Sequence, residues 1–230
     1  DLNEPLNMPE SIKFVKVDLK DFSSCKNICK GMDFVFNLVG IKTSPKICME
    51  RPASIIGPML QFNTNMLEAA MAANVEWYLY TSSVGVYQPA PILREDDVEG
   101  TVPSRNDWFG GWAKRMGEMQ IQAFEKQNGV SVCSIVRPAN VYGPHDKFDL
   151  EASHVCGATI TKVMKASDSV TIWGSGEETR DLLYVQDLVC MVNCVIEKQD
   201  VSFAIYNCGS GSSVSINDLV KKVIVESNKT

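Results

Sequence analysis

The sequence predicts an α/β fold: a parallel sheet with helices on both faces, followed by a smaller C-terminal lobe. Three features carry that expectation. From Ser11 to Val136 short apolar runs alternate with amphipathic stretches, in the order strand, helix, strand, helix, strand, helix, strand. The runs Met32–Gly40 and Trp77–Thr81 are almost continuously apolar, as strands covered on both faces are. After Pro144 the rhythm loosens into short mixed elements.

Taken in order, residues 1–10 are polar, contain two prolines and read as a loop. Ser11–Asp18 alternates apolar and polar residues, the pattern of a half-buried strand. Residues 21–30 fit a short helix, and Met32–Gly40 a buried strand. Lys42–Pro58 reads as a loop marked by Pro45, Pro52 and Pro58. Met59–Asn74 is a helix, with Met59, Phe62, Met66, Ala70 and Ala73 at helical spacing. The strand Trp77–Ser83 follows, then a polar, proline-marked loop to Asp107. Gly111–Gln127 is the next helix, with Trp112, Met116, Met119 and Ala123 on one face, and Val130–Val136 the next strand.

The C-terminal part reads as a helix over His154–Lys165, a strand over Ser169–Trp173 and a helix over Val185–Lys198. A strand over Phe203–Asn207 and a helix over Ser215–Glu226, capped by Ser215, complete it. The implied division is 1–145 for the sheet domain and 146–230 for a mixed α/β lobe over its mouth.

Bulk properties narrow the function classes. The net charge is −6 with no run of Lys or Arg, which argues against a nucleic-acid surface. No apolar run approaches the roughly 18 residues of a membrane span, and no secretory signal pattern opens the chain. The eight cysteines include no Cys-x-x-Cys pair, and several lie inside apolar runs. With two histidines in the chain a zinc site is not expected. Reduced thiols in the cytoplasm are the expectation.

The strand at Trp77 ends in three hydroxyls, Thr81, Ser82 and Ser83. In open parallel sheets ligands bind beyond the carboxyl ends of the strands, so these groups stand where a substrate would lie. An ordinary Ser/Thr turn would read the same way. Two further stretches favour the first reading: Trp108-Phe-Gly-Gly-Trp-Ala-Lys-Arg-Met-Gly-Glu118 and Arg137-Pro-Ala-Asn-Val-Tyr-Gly-Pro-His-Asp146. With them the chain resembles the extended short-chain dehydrogenase/reductase family of NAD(P)-dependent nucleotide-sugar epimerases, dehydratases and reductases.

That resemblance implies a Rossmann-like NAD(P)-binding domain, with the lobe binding substrate. Ser83 matches the family's catalytic Ser, which hydrogen-bonds the sugar oxygen undergoing redox. Lys114 matches the Lys of its Tyr-x-x-x-Lys pair, where a spacing of four puts both side chains on one helix face. The Lys holds the nicotinamide ribose and favours the tyrosinate. Here the Tyr position is Gly110, and a water in the space could stand in for the hydroxyl.

On the cofactor side, Asp18-Leu19 matches the pair that touches the adenine. Leu38-Val39-Gly40 matches the strand end under the diphosphate and ribose, and Pro138 is placed with them. Arg180, in a Gly-x-Gly-x-x-x-Arg-Asp segment, would reach the substrate diphosphate with paired, charge-assisted contacts. The other reading of Arg180 is a structural pair with Asp181 or Asp187. Asn140 matches the residue that bonds the substrate near its phosphates.

The segment from Arg137 to Val155 resembles the GDP-L-fucose synthase subfamily in particular. There His154 corresponds to one epimerisation residue, while the partnering Cys position is Gly85. The resemblance implies a GDP-sugar substrate ahead of other nucleotide sugars, NADP or NAD as cofactor, and a homodimer through the helices at 59–74 and 111–127. The dinucleotide fingerprint Gly-x-Gly-x-x-Gly is not in the sequence. The expectation is therefore an incomplete chain whose first βαβ unit and last elements lie outside it. The alternative function is a nucleotide-sugar-binding protein of the same fold that has lost catalysis with the tyrosine.

Overall fold

The computed structural model describes residues 8–41, 45–129, 131–150 and 153–228. Helix α1 (Phe22–Cys29) starts at Asp21, whose carboxylate accepts from the backbone N–H groups of Ser23 and Ser24. Strand β1 (Phe34–Asn37), helices α2 (Pro45–Glu50) and α3 (Ala53–Ala72), and strand β2 (Trp77–Thr81) follow. After three short 3-10 turns come α4 (Trp108–Asn128) and β3 (Val132–Pro138). The remaining elements are β4 (Asn140–Tyr142), α5 (Val155–Lys165), β5 (Thr179–Arg180), β6 (Leu182–Tyr184), α6 (Val185–Lys198), β7 (Phe203–Cys208), β8 (Val214–Ser215) and α7 (Ile216–Glu226).

The central sheet has four strands in the order β1-β2-β3-β7, all parallel. Alternation along β2 assigns its side chains to opposite faces. Tyr78 and Tyr80 pack with Cys25 and Cys29 of α1, Met66 and Ala70 of α3 and Ile121 of α4. Leu79 packs on the other face with Val136 of β3 and Leu188, Met191, Val192 and Val195 of α6. Helices thus cover both faces, as expected.

Close approach fixes two glycines of α4. A Cβ on Gly117 would stand 2.5 Å from the Tyr80 hydroxyl, and one on Gly111 would stand 2.5 Å from the carbonyl oxygen of Gly85. The second contact seats the loop after β2 directly on the helix that carries Lys114.

The structure corrects four expectations. Residues 11–18 form no strand, and Ile12 and Val15 are exposed; alternation makes a strand only where a neighbour completes its hydrogen bonds. The loop expected over Lys42–Pro58 is instead largely helical from Pro45 onward, with residues 42–44 outside those described. Pro58 lies inside α3, at a cost of about 3 kcal/mol. Burial of Ile55, Met59 and Phe62 at roughly 1.5–3 kcal/mol each outweighs it.

Strand β1 is not covered on both faces. Val35 and Asn37 are buried, while Phe34 and Phe36 stay 43% and 42% exposed. The register pairs Phe34 with Trp77 and Phe36 with Leu79, so both rings lie on the α6 face, at the sheet edge beyond that helix. Finally, 169–173 forms no strand; Trp173 is 70% exposed, with the Lys162 ammonium over its ring. Most of the expected loop over 1–10 lies outside the described residues.

Beyond Pro138 the small sheets are β4 with β6, parallel, and β5 with β8, antiparallel. Helix α7 begins at Ser215 as expected, its hydroxyl accepting from the N–H of Asp218 at 3.0 Å.

Candidate active site

The candidate site lies at the carboxyl ends of β1 and β2. Helix α4 carries Lys114 across both. Its ammonium donates to the carbonyl oxygen of Thr81 at 2.6 Å and to that of Val39 at 3.4 Å. It also stands 4.9 Å from the centre of the Tyr80 ring. Desolvation pulls Lys114 down to about 8, and the charge of Glu118 opposes the shift. Thr81 Oγ1, on the residue whose carbonyl accepts from this ammonium, is buried without a hydrogen-bond partner among the described residues. A Cβ on Gly40 would lie 3.9 Å from Lys114 Nζ. A cation with one proton uncommitted, an orphaned hydroxyl and a strand end without a side chain fit a ligand that presents hydroxyls, such as a ribose.

Ser83 is half-buried and accepts from the N–H of Gly85 at 3.0 Å, which opens the 3-10 turn Val84–Val86. The turn reading of Ser83 is therefore present, and the hydroxyl proton remains to be donated. Ser82 is structural, with its buried hydroxyl bonded to Glu118.

Of the other residues singled out, Val39 and Gly40 meet Lys114, while Leu38 is 64% exposed. Asp18 is exposed and pairs with Lys20 at 3.3 Å. The Leu19 carbonyl accepts from Asn65 at 2.9 Å, which ties this segment to α3. Pro138 closes β3 against Cys208. Asn140 points its amide to the Asp181 carbonyl at 3.0 Å. Arg180 forms no salt bridge with Asp181 or Asp187 and donates to the Thr179 carbonyl, while its charge acts on the carboxylates of Asp107 and Glu178. Asp181 is engaged separately, accepting from the N–H of Ser210. His154 is exposed and occupies the N-cap position of α5, where its side chain makes no capping bond.

One residue was not singled out from the sequence. Asp107, at the start of α4, is raised by desolvation above the ordinary 3.8, while the charges of His154 and Arg180 lower it. This places His154 and Arg180 in one electrostatic neighbourhood. A Cβ on Gly85 would lie 3.3 Å from Ser83 Oγ and 3.5 Å from the Asp107 carboxyl carbon. At Gly110 a Cβ would meet nothing within 4 Å. The available signal for Asp107 was its spacing of seven from Lys114, two helical turns on one face.

The loop around the site is held by buried ionic groups. The Arg137 guanidinium donates to both carboxylate oxygens of Glu118 at 2.9 and 2.8 Å, to the Tyr87 hydroxyl at 2.6 Å and to the Glu95 carbonyl at 2.7 Å. Arg115 donates to the Val86 carbonyl at 2.7 Å and to the hydroxyl of Thr101 at 2.9 Å.

The geometry is that of a parallel α/β domain with helices on both faces of its sheet. The family model of the NAD dependent epimerase/dehydratase family matches residues 2–209, and the chain belongs to that family. It is 36% identical over 179 residues to GDP-L-fucose synthase of Sinorhizobium fredii, covering 73% of this chain and 55% of the relative. It is 26% identical over 216 residues to GDP-mannose 3,5-epimerase of Arabidopsis thaliana, covering 92% and 56%. The chain thus spans about half the length of these curated relatives.

Among solved structures, UDP-N-acetylglucosamine 4-epimerase from Methanobrevibacter ruminantium, in complex with UDP-N-acetylmuramic acid, superposes with a TM-score of 0.84 at 23% identity. That match covers 97% of this chain and 70% of the other. A GDP-L-fucose synthetase from Naegleria fowleri bound to NADP gives 0.83 at 22%, covering 93% and 67%. These likenesses confirm the Rossmann-type fold.

Proposed function

We propose that the chain acts as an NAD(P)-dependent nucleotide-sugar epimerase/reductase of the GDP-L-fucose synthase type. The observation that carries this reading is Lys114, a desolvated ammonium bridging the ends of β1 and β2 through the carbonyls of Val39 and Thr81. Lys114 would hold the nicotinamide ribose, with Val39, Gly40 and Pro138 beneath the cofactor and Asp18 and Leu19 toward its adenine. A bound nicotinamide dinucleotide, NADP or NAD, would supply the hydride. Ser83 would donate its hydroxyl proton to the sugar oxygen and so polarise the carbonyl. Arg180, which forms no salt bridge with Asp181 or Asp187, would hold the substrate diphosphate together with Asn140, and His154 would face the sugar.

The two-domain reading, 1–145 for cofactor and 146–230 for substrate, follows from the same assignment. A cytoplasmic homodimer through α3 and α4 accompanies it; Met116 and Met119 of α4 are exposed, and the described residues include no helix long and apolar enough to cross a membrane.

A second reading has its own support. Gly110 and Gly85 carry no side chain where the resembled subfamily has its Tyr and Cys, which suits a nucleotide-sugar-binding protein without catalysis. Calorimetric titration with NADPH, NADH, GDP-mannose and UDP-glucose separates the two. Micromolar binding of a dinucleotide is expected. Binding of a sugar nucleotide with no dinucleotide would leave the binding reading standing alone.

A further inference from the structure

Helix α4 presents Asp107, the bare position Gly110 and Lys114 along one face, at spacings of three and four residues. Asp is a favoured helix N-cap because its carboxylate can accept from the first free N–H groups. Asp107 occupies that position in α4, yet its side chain makes no capping bond. The carboxyl turns instead toward the loop after β2. A Cβ on Gly85 would lie 3.4 Å from the Asp107 Cβ, 3.5 Å from its carboxyl carbon and 3.3 Å from Ser83 Oγ. The two glycines that remove the resembled subfamily's Cys and Tyr thus leave the space next to Ser83 to this carboxyl.

We propose that Asp107 is the acid–base group of the site and gives the proton to the sugar oxygen when the carbonyl is reduced. The assignment rests on the enzyme reading above. In the step, the carbonyl carbon gains a hydride supplied by a reduced nicotinamide dinucleotide, and the π electrons of the C=O bond move to oxygen. That oxygen takes the proton of the Asp107 carboxyl, held in line by Ser83. Asp107 is left as a carboxylate and regains its proton from solvent, to which it is open. In the oxidative direction each transfer reverses.

The surroundings suit both states. Desolvation raises the carboxyl above the ordinary 3.8, in the direction of the acid form, and the charges of His154 and Arg180 stabilise the anion left behind. Cys48 of α2 faces the same carboxyl, and its thiol is raised by desolvation and by the charge of Asp107. Arg105, two residues earlier, is turned aside onto the Trp108 ring at 4.4 Å.

The test compares the chain as it stands, Asp107→Asn, and Asp107→Asn combined with Gly110→Tyr. NADPH affinity is read by calorimetry, turnover by NADPH oxidation with GDP-4-keto-6-deoxymannose, and aspartate titration by carbon-13 NMR of the side-chain carboxyls. Asp107→Asn should keep NADPH affinity within about threefold and lose about 10²–10⁴-fold in turnover, together with the alkaline limb of the pH profile. Adding Tyr at the open position 110 should restore part of the rate. The resonance missing from Asp107→Asn should titrate above the ordinary 3.8 and move when GDP-mannose binds.

Turnover in Asp107→Asn within about threefold of the parent overturns the assignment, as does a carboxyl that is indifferent to GDP-mannose. A parent chain that binds NADPH and the sugar but does not turn over overturns it too. A parent that binds no dinucleotide overturns the enzyme reading itself, and the assignment with it.

Discussion

Helix α4 supplies groups to two polar centres about a turn apart, and they are built on opposite plans. Around Arg137 every guanidinium nitrogen is occupied, and the carboxylate of Glu118 is matched oxygen for oxygen. Burial alone would lower that guanidinium, yet its bonds and charge pairing with Glu118 raise it. Around Lys114 the burial is met by two carbonyl oxygens, the face of the Tyr80 ring and the more distant Glu118, with no paired carboxylate, and the ammonium falls to about 8. A satisfied buried network fixes a structure; an under-satisfied one stores affinity for whatever completes it. The first centre holds the loop, and the second is where a ligand belongs.

That contrast fails if the two cations respond alike to removal. Arg137→Met should be the larger structural lesion, because Glu118 and Tyr87 stay buried without their partner. About 3–5 kcal/mol of stability should be lost, read as a lower urea midpoint with an unchanged slope. Removing both partners, Arg137→Met with Glu118→Leu, should cost less than the single change, since no buried charge then stands unpaired. A double variant less stable than Arg137→Met would show that packing around the pair, rather than its charge balance, is what holds the loop.

Lys114→Met should behave in the opposite way. It exchanges a desolvated ammonium for an apolar side chain of similar length, so the urea midpoint at pH 7 should hold or rise. Dinucleotide affinity should weaken by about tenfold or more with the loss of a charge-assisted bond. If the midpoint falls as far as in Arg137→Met, Lys114 belongs to the scaffold and the comparison collapses.

The scaffold was far more legible in the sequence than the site. Buried strands such as Trp77–Thr81 and amphipathic helices such as α6 announce themselves through periodicity, because each residue's burial repeats along the element. Pairing does not announce itself. Ser11–Asp18 alternates like a strand and forms none, while Asn140–Tyr142 and Leu182–Tyr184, too short to show a period, pair across 42 residues of chain. The sequence pattern starts this helix at Met59 rather than Ala53 because Pro52 and Pro58 mark loops locally, and only tertiary burial of Ile55 and Met59 overrides them. Lys114 and Ser83 were reached through resemblance, and the structure brings the strand ends of β1 and β2 to that lysine. Asp107 carried no resemblance and no pattern beyond its spacing. Its meaning comes from two side chains that are absent, Gly85 and Gly110, and an absence shows its consequence only in three dimensions.

The smallest effect gives the sharpest reading of the second centre. The ordinary lysine value is 10.5, and that of Lys114 in the folded chain is about 8. Lowering a basic group on folding destabilises the fold wherever the group must be carried as a cation. That cost is fully present below pH 8 and fades as pH rises from there toward 10.5. A ribose oxygen accepting from the ammonium favours the charged form, so in the complex the value must stand above that of the free protein. Dinucleotide affinity should therefore be flat below pH 8 and fall above it, by at most about tenfold per pH unit. In Lys114→Met the same titration should be flat across the range. Affinity that rises between pH 8 and pH 9 would mean that the neutral amine is the form the ligand selects, and it would move the role of Lys114 from holding the ligand to accepting a proton from it.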